Sequence, residues 1–313
     1  MDKVVVIAGP TASGKTALSI ALAQELHGEI VSADSMQVYR GMDIGTAKAT
    51  PAERAAAAHH MLDVAEPDRP YSAARYVDEA AACCEDILSR GKLPIITGGT
   101  GLYIDSLISG RSFADTEESR AARDALCREY ESLGGEAMLE KLRRIDPERA
   151  GMLAAADKRR IVRALEIYAL TGETATAHDA ATRALPPRYD AARIVLCYAD
   201  RARQYARIDS RVDAMVREGL FDEVSALLDR GVPPEATAMQ AIGYKEAAAA
   251  LRGELTAQEA IALIKQSSRR YAKRQLTWFR RWEDALWIRW DADPDFLAAR
   301  QLSTAFIRRR GIS

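Results

Sequence analysis

The sequence predicts an α/β protein: a parallel sheet flanked by helices, with an inserted all-helical domain. Three observations lead there. β-Branched runs ending in glycine or an acid recur at 4–8, 28–34, 93–99, 192–200 and 285–291, the pattern of strands buried on both faces. Helical patterns separate the first of these runs, giving the β-α-β-α order of parallel strands joined by crossover helices. From about 115 to 182 the chain keeps a charged helical pattern with no strand, and strand character returns only afterwards.

Taken in order, the first strand stops at Gly9 and a helix follows over about 15–26. "GEIVSAD" at 28–34 is a second strand ending in an acid. A helix over about 73–90 leads through Gly91 to the third strand, which closes on Gly98 and Gly99, and Gly101 opens a helix to 109. "LPPRYD" at 185–190 breaks the chain before the strand at 192–200. The 203–230 pattern is helical and ends at Gly231 and two prolines. Helices are expected over 241–251 and 256–282, then a last strand. A chain of 313 residues suits roughly two domains. The core is assigned to 1–114 with 188–313, and the helical insertion to 115–187.

Composition narrows the function classes. With 48% hydrophobic and 28% charged residues and a net charge of −1, this is an ordinary globular chain. Nucleic-acid binding must then come from local patches. Cys83, Cys84, Cys127 and Cys197 form no CxxC pair and stand at no metal-ligand spacing to the histidines, so reduced thiols are expected. No apolar run approaches the ~20 residues that span a bilayer, so a cytoplasmic protein without a membrane anchor is expected.

The run Gly9-Pro10-Thr11-Ala12-Ser13-Gly14-Lys15-Thr16 fits GxxxxGK[ST], after a strand and before a helix. The glycines let backbone N–H groups wrap phosphate oxygens at a helix N-terminus. Lys15 supplies a point charge, and the Thr16 hydroxyl suits Mg²⁺. The motif predicts a P-loop NTPase-like core but not which phosphate ester binds. Asp34 stands at a strand's carboxyl end, where open parallel sheets bind ligands. It reads as a general base, as a metal ligand, or as a turn-capping aspartate. "TGGTGLY" at 97–103 is a second glycine turn, explained by tight packing or by a place in the same cleft. Arg207 and Arg211 lie one turn apart, with Asp209 and Asp213 between and beyond them. They read as a phosphate clamp or as a solvated face with ion pairs. "KRRIVR" at 158–163 and "SRRYAKRQLTWFRRW" at 268–282 are basic, the second interleaved with Tyr271, Trp278, Phe279 and Trp282. Cations that track a backbone beside stacking aromatics point to nucleic acid.

Together, "GPTASGKT", "SADSMQVYRGMDIGTAK", "GGTGLY", "DKRRIVRALEIY", "RIDSRVDAMVREGLFDEV", "QAIGYKE" and "RRYAKRQLTWFRRW" resemble the motifs of the tRNA dimethylallyltransferase family, in order from residue 9 to 282. The resemblance implies transfer of a dimethylallyl group from dimethylallyl diphosphate to N6 of the adenosine 3′ of the anticodon. The substrates would be tRNAs that read codons beginning with U. It implies that the loop 9–16 holds the diphosphate with Mg²⁺ at Thr16, that Arg211 meets its charge, and that Asp34 takes the amine proton. It also implies tRNA contacts at Asp34, Ser35, Met36, Gln37, Gly101, Arg123, Lys158, Arg159, Arg160, Ile161, Val162, Arg163, Gln240, Gly243, Tyr244 and Lys245. The expected partner is a tRNA anticodon stem-loop, and the expected state a monomer. The rival reading is a P-loop small-molecule or nucleotide kinase. A GTPase-like module would need an N/T-K-x-D at a strand end, and none is found.

Overall fold

The computed structural model describes residues 1–110 and 117–312. In chain order the first segment holds β1 (Asp2–Ala8), α1 (Lys15–Glu25), β2 (Gly28–Ser32), α2 (Pro51–Ala56), β3 (His59–His60), α3 (Ala73–Ser89), β4 (Leu93–Gly98) and α4 (Gly101–Ser109). Helices α5 (Glu117–Leu133), α6 (Gly135–Ile145), α7 (Pro147–Gly151), α8 (Lys158–Thr171) and α9 (Ala175–Ala184) follow without a strand. The chain closes with β5 (Tyr189–Tyr198), α10 (Arg201–Arg217), α11 (Leu220–Asp229), α12 (Tyr244–Leu251), α13 (Ala257–Phe279), β6 (Leu286–Trp290) and α14 (Phe296–Arg309).

The strands form one sheet in the order β3-β2-β4-β1-β5-β6, with every pair parallel. Val4 through Ala8 are fully buried, because β1 lies between β4 and β5 with helices over the sheet faces. Val5 pairs with Ile95 on one side and Ala192 on the other. The winding reverses at β1, and the crevice beyond its carboxyl end is where such sheets bind ligands. Leu18, Leu22, Ile95, Ile194 and Trp290 belong to the core that holds α1 and α14 against the sheet.

Two compact units result: Met1–Ile108 with Arg188–Ser313, and Ser109–Pro187. The 114/115 boundary expected from the sequence lies outside the described residues. The chain leaves the first unit at Ile108 and returns at Arg188, whose N–H donates to the Ile108 carbonyl at 2.8 Å. The second unit has its own core of Met138, Leu142, Ile161, Val162 and Leu165.

Several details differ from the sequence reading, among them the short α2. The two-residue β3 was not foreseen, nor was α14. The single helix expected over 203–230 is two, because Gly219 takes φ +101°, which a right-handed helix cannot continue. The helix expected from 241 starts at Tyr244, after a 3₁₀ turn at Ala238–Gln240. No described helix is long and apolar enough to cross a membrane.

Candidate active site

Glycine 9 can leave β1 only because it has no side chain: a Cβ there would meet the Leu196 carbonyl oxygen at 2.3 Å. Gly14, at φ +90°, turns the chain into α1. Between them the loop is held from outside. Gln204 of α10 donates to the Thr11 carbonyl at 2.9 Å, and Gln275 of α13 accepts from the Thr11 N–H at 3.1 Å. The Trp290 indole donates to the Ser13 carbonyl at 2.9 Å. The N–H groups of Ala12, Ser13, Gly14, Lys15 and Thr16 have no partner among the described residues, so they remain available to an anion at the start of α1.

A cavity of about 920 Å³ opens on this loop, lined by Thr16, Lys48, Arg54, Arg207 and Arg211 among others. The acids beside the α10 arginines face elsewhere. Asp209 pairs with Arg269 at 2.6 Å and Asp213 with Lys265 at 2.6 Å, which bolts α10 to α13. Arg207 and Arg211 make no ion pair among the described residues, and the Arg211 Nε is buried without a partner. This favours the clamp over the ion-paired face. Lys48, by contrast, is buried between Asp43 and Asp63, and Arg54 also binds Asp63. Lys15 donates to the Pro10 carbonyl at 2.8 Å. Burial, and then repulsion from Arg211, pull its amine down to about 7, while Asp34 opposes the shift. Burial likewise lowers Arg211, again opposed by Asp34.

Asp34 serves as a turn cap and keeps an oxygen free. Its Oδ1 accepts from the Met36 N–H at 2.9 Å and the Gln37 N–H at 3.4 Å, and Oδ2 has no partner among the described residues. The Tyr271 hydroxyl is pushed up to about 12, by burial and then by Asp34. The Ser35 N–H donates to Thr100 Oγ1 at 3.1 Å. Gln37 is taken up by the fold: it donates to the Thr46 and Ala47 carbonyls and accepts from Ser32. The second glycine turn is a packing device. A Cβ on Gly98, Gly99 or Gly101 would meet Ala33, Gln275 or Trp278 within 2.2 Å. Magnesium, expected at Thr16, has a sparse protein donor set: no group of three His, Cys, Asp or Glu suited to a metal occurs among the described residues. One hydroxyl plus a ligand's phosphates is a set Mg²⁺ accepts.

The family model for IPP transferase matches residues 37–282, and one for isopentenyl transferase matches residues 2–66. The tRNA dimethylallyltransferase 1 of Pelobacter propionicus is 46% identical over 92% of this chain and 93% of its own. The full-length tRNA isopentenylpyrophosphate transferase of Bacillus halodurans is 40% identical, covers 99% of this chain and 98% of its own, and superposes with a TM-score of 0.73. A eukaryotic dimethylallyltransferase acting on tRNA is 30% identical, covers 100% of this chain and 81% of its own, and reaches 0.83. The chain belongs to the tRNA dimethylallyltransferase family. Its P-loop NTPase-like fold class is as the sequence predicted, and the kinase reading is not favoured.

The sequence resemblance to this family named more residues than the surface presents. Ile161 and Val162 point into the helical unit's core, so their side chains are not RNA contacts. Arg123 and Arg163 bind the fully buried Glu166 at 2.8 and 2.9 Å, so they serve the fold of that unit. Lys158 pairs with Glu131 at 2.8 Å. Arg159 and Arg160 are exposed and make no ion pair among the described residues. Tyr244 is buried and donates its hydroxyl to Glu223, which also gathers the N–H groups of Asp43, Ile44 and Gly45. Gly243, at φ +100°, opens α12, Gln240 donates to the Pro234 carbonyl, and Lys245 is exposed. The aromatics expected to stack on bases are mostly internal: Phe279 and Trp282 are buried, and both the Trp278 and Trp282 indoles donate to Asp105. Arg270, Lys273, Arg274, Arg280 and Arg281 remain exposed. Gln204, Gln275, Glu223 and Trp290 were missed. Glu223 and Gln275 lie within the quoted motifs and Gln204 and Trp290 outside them, but the partners of all four lie far away in sequence.

Proposed function

We propose that this chain transfers the dimethylallyl group of dimethylallyl diphosphate to N6 of the adenosine 3′ of the anticodon, in tRNAs reading codons that begin with U. The reading rests above all on one arrangement. Two buried basic groups, Lys15 and Arg211, make no ion pair among the described residues and lie within the electrostatic reach of Asp34, whose second oxygen has no partner there. The loop N–H groups, Lys15 and Arg211 take the diphosphate. As the allylic C–O bond breaks, its electron pair leaves with the diphosphate oxygen, where these preorganised donors stabilise it. The N6 lone pair forms the new C–N bond, and Asp34 Oδ2 takes the N6 proton. Thr16 would hold Mg²⁺ shared with the diphosphate, and the ion, when bound, would neutralise leaving-group charge. Exposed Arg159 and Arg160 would meet RNA phosphates. The enzyme would act in the cytoplasm as a monomer.

The test pairs a substrate with a variant. The purified chain, dimethylallyl diphosphate and an anticodon stem-loop RNA should yield one dimethylallyl-adenosine by mass spectrometry. ATP should donate no phosphoryl group. Asp34→Asn should lower single-turnover transfer by ~10²- to 10⁴-fold while both affinities hold. Full rescue of that variant by Mg²⁺ would make Asp34 a metal ligand instead, and phosphoryl transfer from ATP would overturn the whole reading.

A further inference from the structure

The phosphate loop is a short stretch whose working shape depends on residues from the far end of the chain. Gln275, nearly fully buried, bridges two backbone groups: its Oε1 accepts from the Thr11 N–H at 3.1 Å, and its Nε2 donates to the Gly99 carbonyl at 3.0 Å. Gly99 leaves room for this, since a Cβ there would meet the Gln275 Nε2 at 2.1 Å. From the other side Gln204, also buried, donates to the Thr11 carbonyl at 2.9 Å. Thr11 is thus held by both of its peptide groups. Its N–H is turned away from any phosphate, and the neighbouring N–H groups of residues 12 to 16 are left for the ligand.

A primary amide can donate from one atom and accept at another at the same end, which this bridge requires. Glutamate could accept from Thr11 but would set a carboxylate oxygen against the Gly99 carbonyl. A methionine of similar length could do neither, and would strand a buried N–H and a buried C=O. Gln204 adds a link to the clamp. It lies on α10 with Arg207 three residues on and Arg211 seven on, so the helix that fixes the loop also carries the arginines of the cavity.

We infer that Gln275 and Gln204 are positioning residues that set the loop's shape, and its distance from Arg211, for an allylic diphosphate. This rests on the reading of the loop as the diphosphate site. Neither residue touches the substrate. They act through the placement of the N–H groups at 12 to 16 and of Arg211.

The experiment compares Gln275→Met and Gln204→Met with the unaltered chain. It measures KM for dimethylallyl diphosphate, kcat, tRNA affinity and thermal melting. A misplacement of about 1 Å can cost on the order of 10²-fold, so kcat/KM for dimethylallyl diphosphate should fall by roughly 10- to 100-fold in Gln275→Met. The fall should lie mainly in KM, with less in Gln204→Met. The tRNA Kd should stay close to that of the parent, while melting should fall by only a few degrees, because each methionine leaves buried backbone groups unpaired. Gln275→Asn, which keeps the amide on a shorter arm, should recover part of the loss. Unchanged KM in both methionine variants would overturn the inference. So would a loss of tRNA affinity in parallel with KM, or unfolding of both variants, since either marks a purely structural role. If the unaltered chain itself fails to bind dimethylallyl diphosphate, the functional reading falls, and the inference falls with it.

Discussion

Arg211 in the core unit and Glu166 in the helical unit are both charged groups withdrawn from water, and their surroundings treat them in opposite ways. Glu166 accepts from Ser119 and pairs with Arg123 and Arg163, so its charge is matched where it is buried. These partners and burial act on it together, and the net effect holds its carboxyl below the usual range despite burial. Arg211 has another cation, Lys15, as its neighbour and a buried Nε with no partner, and Asp34, then Glu218 and Glu53, draw it toward the charged form without pairing with it. Matched burial fixes a fold, while unmatched burial of like charges costs stability unless a ligand brings the counter-charge. The difference separates site from scaffold more sharply than residue type does, since arginines occur in both.

The largest effect should come from breaking the matched cluster. Glu166→Ala leaves Arg123 and Arg163 without their buried acceptor and should cost about 3–5 kcal/mol of stability in the helical unit. Denaturant unfolding followed by a probe in that unit measures it. A loss under 1 kcal/mol would mean the cluster is solvated. Next is the unmatched pair. Lys15→Ala or Arg211→Met should reduce transfer by ~10²- to 10³-fold, the range for removing a preorganised donor. Melting should hold or rise, because a like-charge contact is relieved. A drop in stability comparable to that of Glu166→Ala would erase the contrast.

A smaller effect follows from the sign of the Lys15 shift. Its amine titrates at about 7, below the ordinary lysine value of 10.5, so the free cleft carries this charge below pH 7 and loses it above. Affinity for the diphosphate should therefore weaken as pH rises past about 7, by at most about tenfold per unit. Binding near neutrality should take up a proton, which calorimetry in two buffers of different ionisation enthalpy detects. Stability runs the other way. The unfolded chain holds this proton up to the ordinary lysine range, so this group's contribution to stability rises with pH from about 7 to about 10.5. Lys15→Arg should flatten the affinity profile, and a flat profile in the parent would mean the amine stays charged throughout. The smallest effect belongs to the exposed cations. Arg159→Ala with Arg160→Ala should flatten the salt dependence of tRNA binding by about 0.7 per lost contact and leave diphosphate affinity alone. An unchanged slope would class them as plain surface charge.

Much of this was legible in the sequence wherever the signal is local. The loop at 9–16 carries its own glycines, and the five main strands carry their own apolar runs. Asp34 was legible too as a turn-capping aspartate at a strand end, while its role as a base stays a proposal. The pairing of charges was not legible. Whether Asp209 neutralises Arg211 or Arg269 depends on which face of α10 meets α13, a tertiary fact. The same limit misread Ile161, Val162 and Tyr244, where a motif's spacing says that residues matter but not whether they face inward. Trp278 and Trp282 looked like stacking platforms until Asp105, far back in the chain, took both indoles.

The way β1 is flanked has a consequence for how the molecule is made. The glycine loop is synthesised directly after β1, with β4 to follow as one neighbour for β1. Its other neighbour, β5, is synthesised only after Ser109–Pro187, and Gln204, Gln275 and Trp290 come later still. At the usual pace of translation that delay is on the order of tens of seconds. Through that interval the nascent chain exposes one edge of β1 and cannot hold Thr11 or Ser13 in place. Such widely separated pairings also form slowly. A chain halted after Thr16 but before Trp290 would carry the whole phosphate motif without the indole that holds the Ser13 carbonyl.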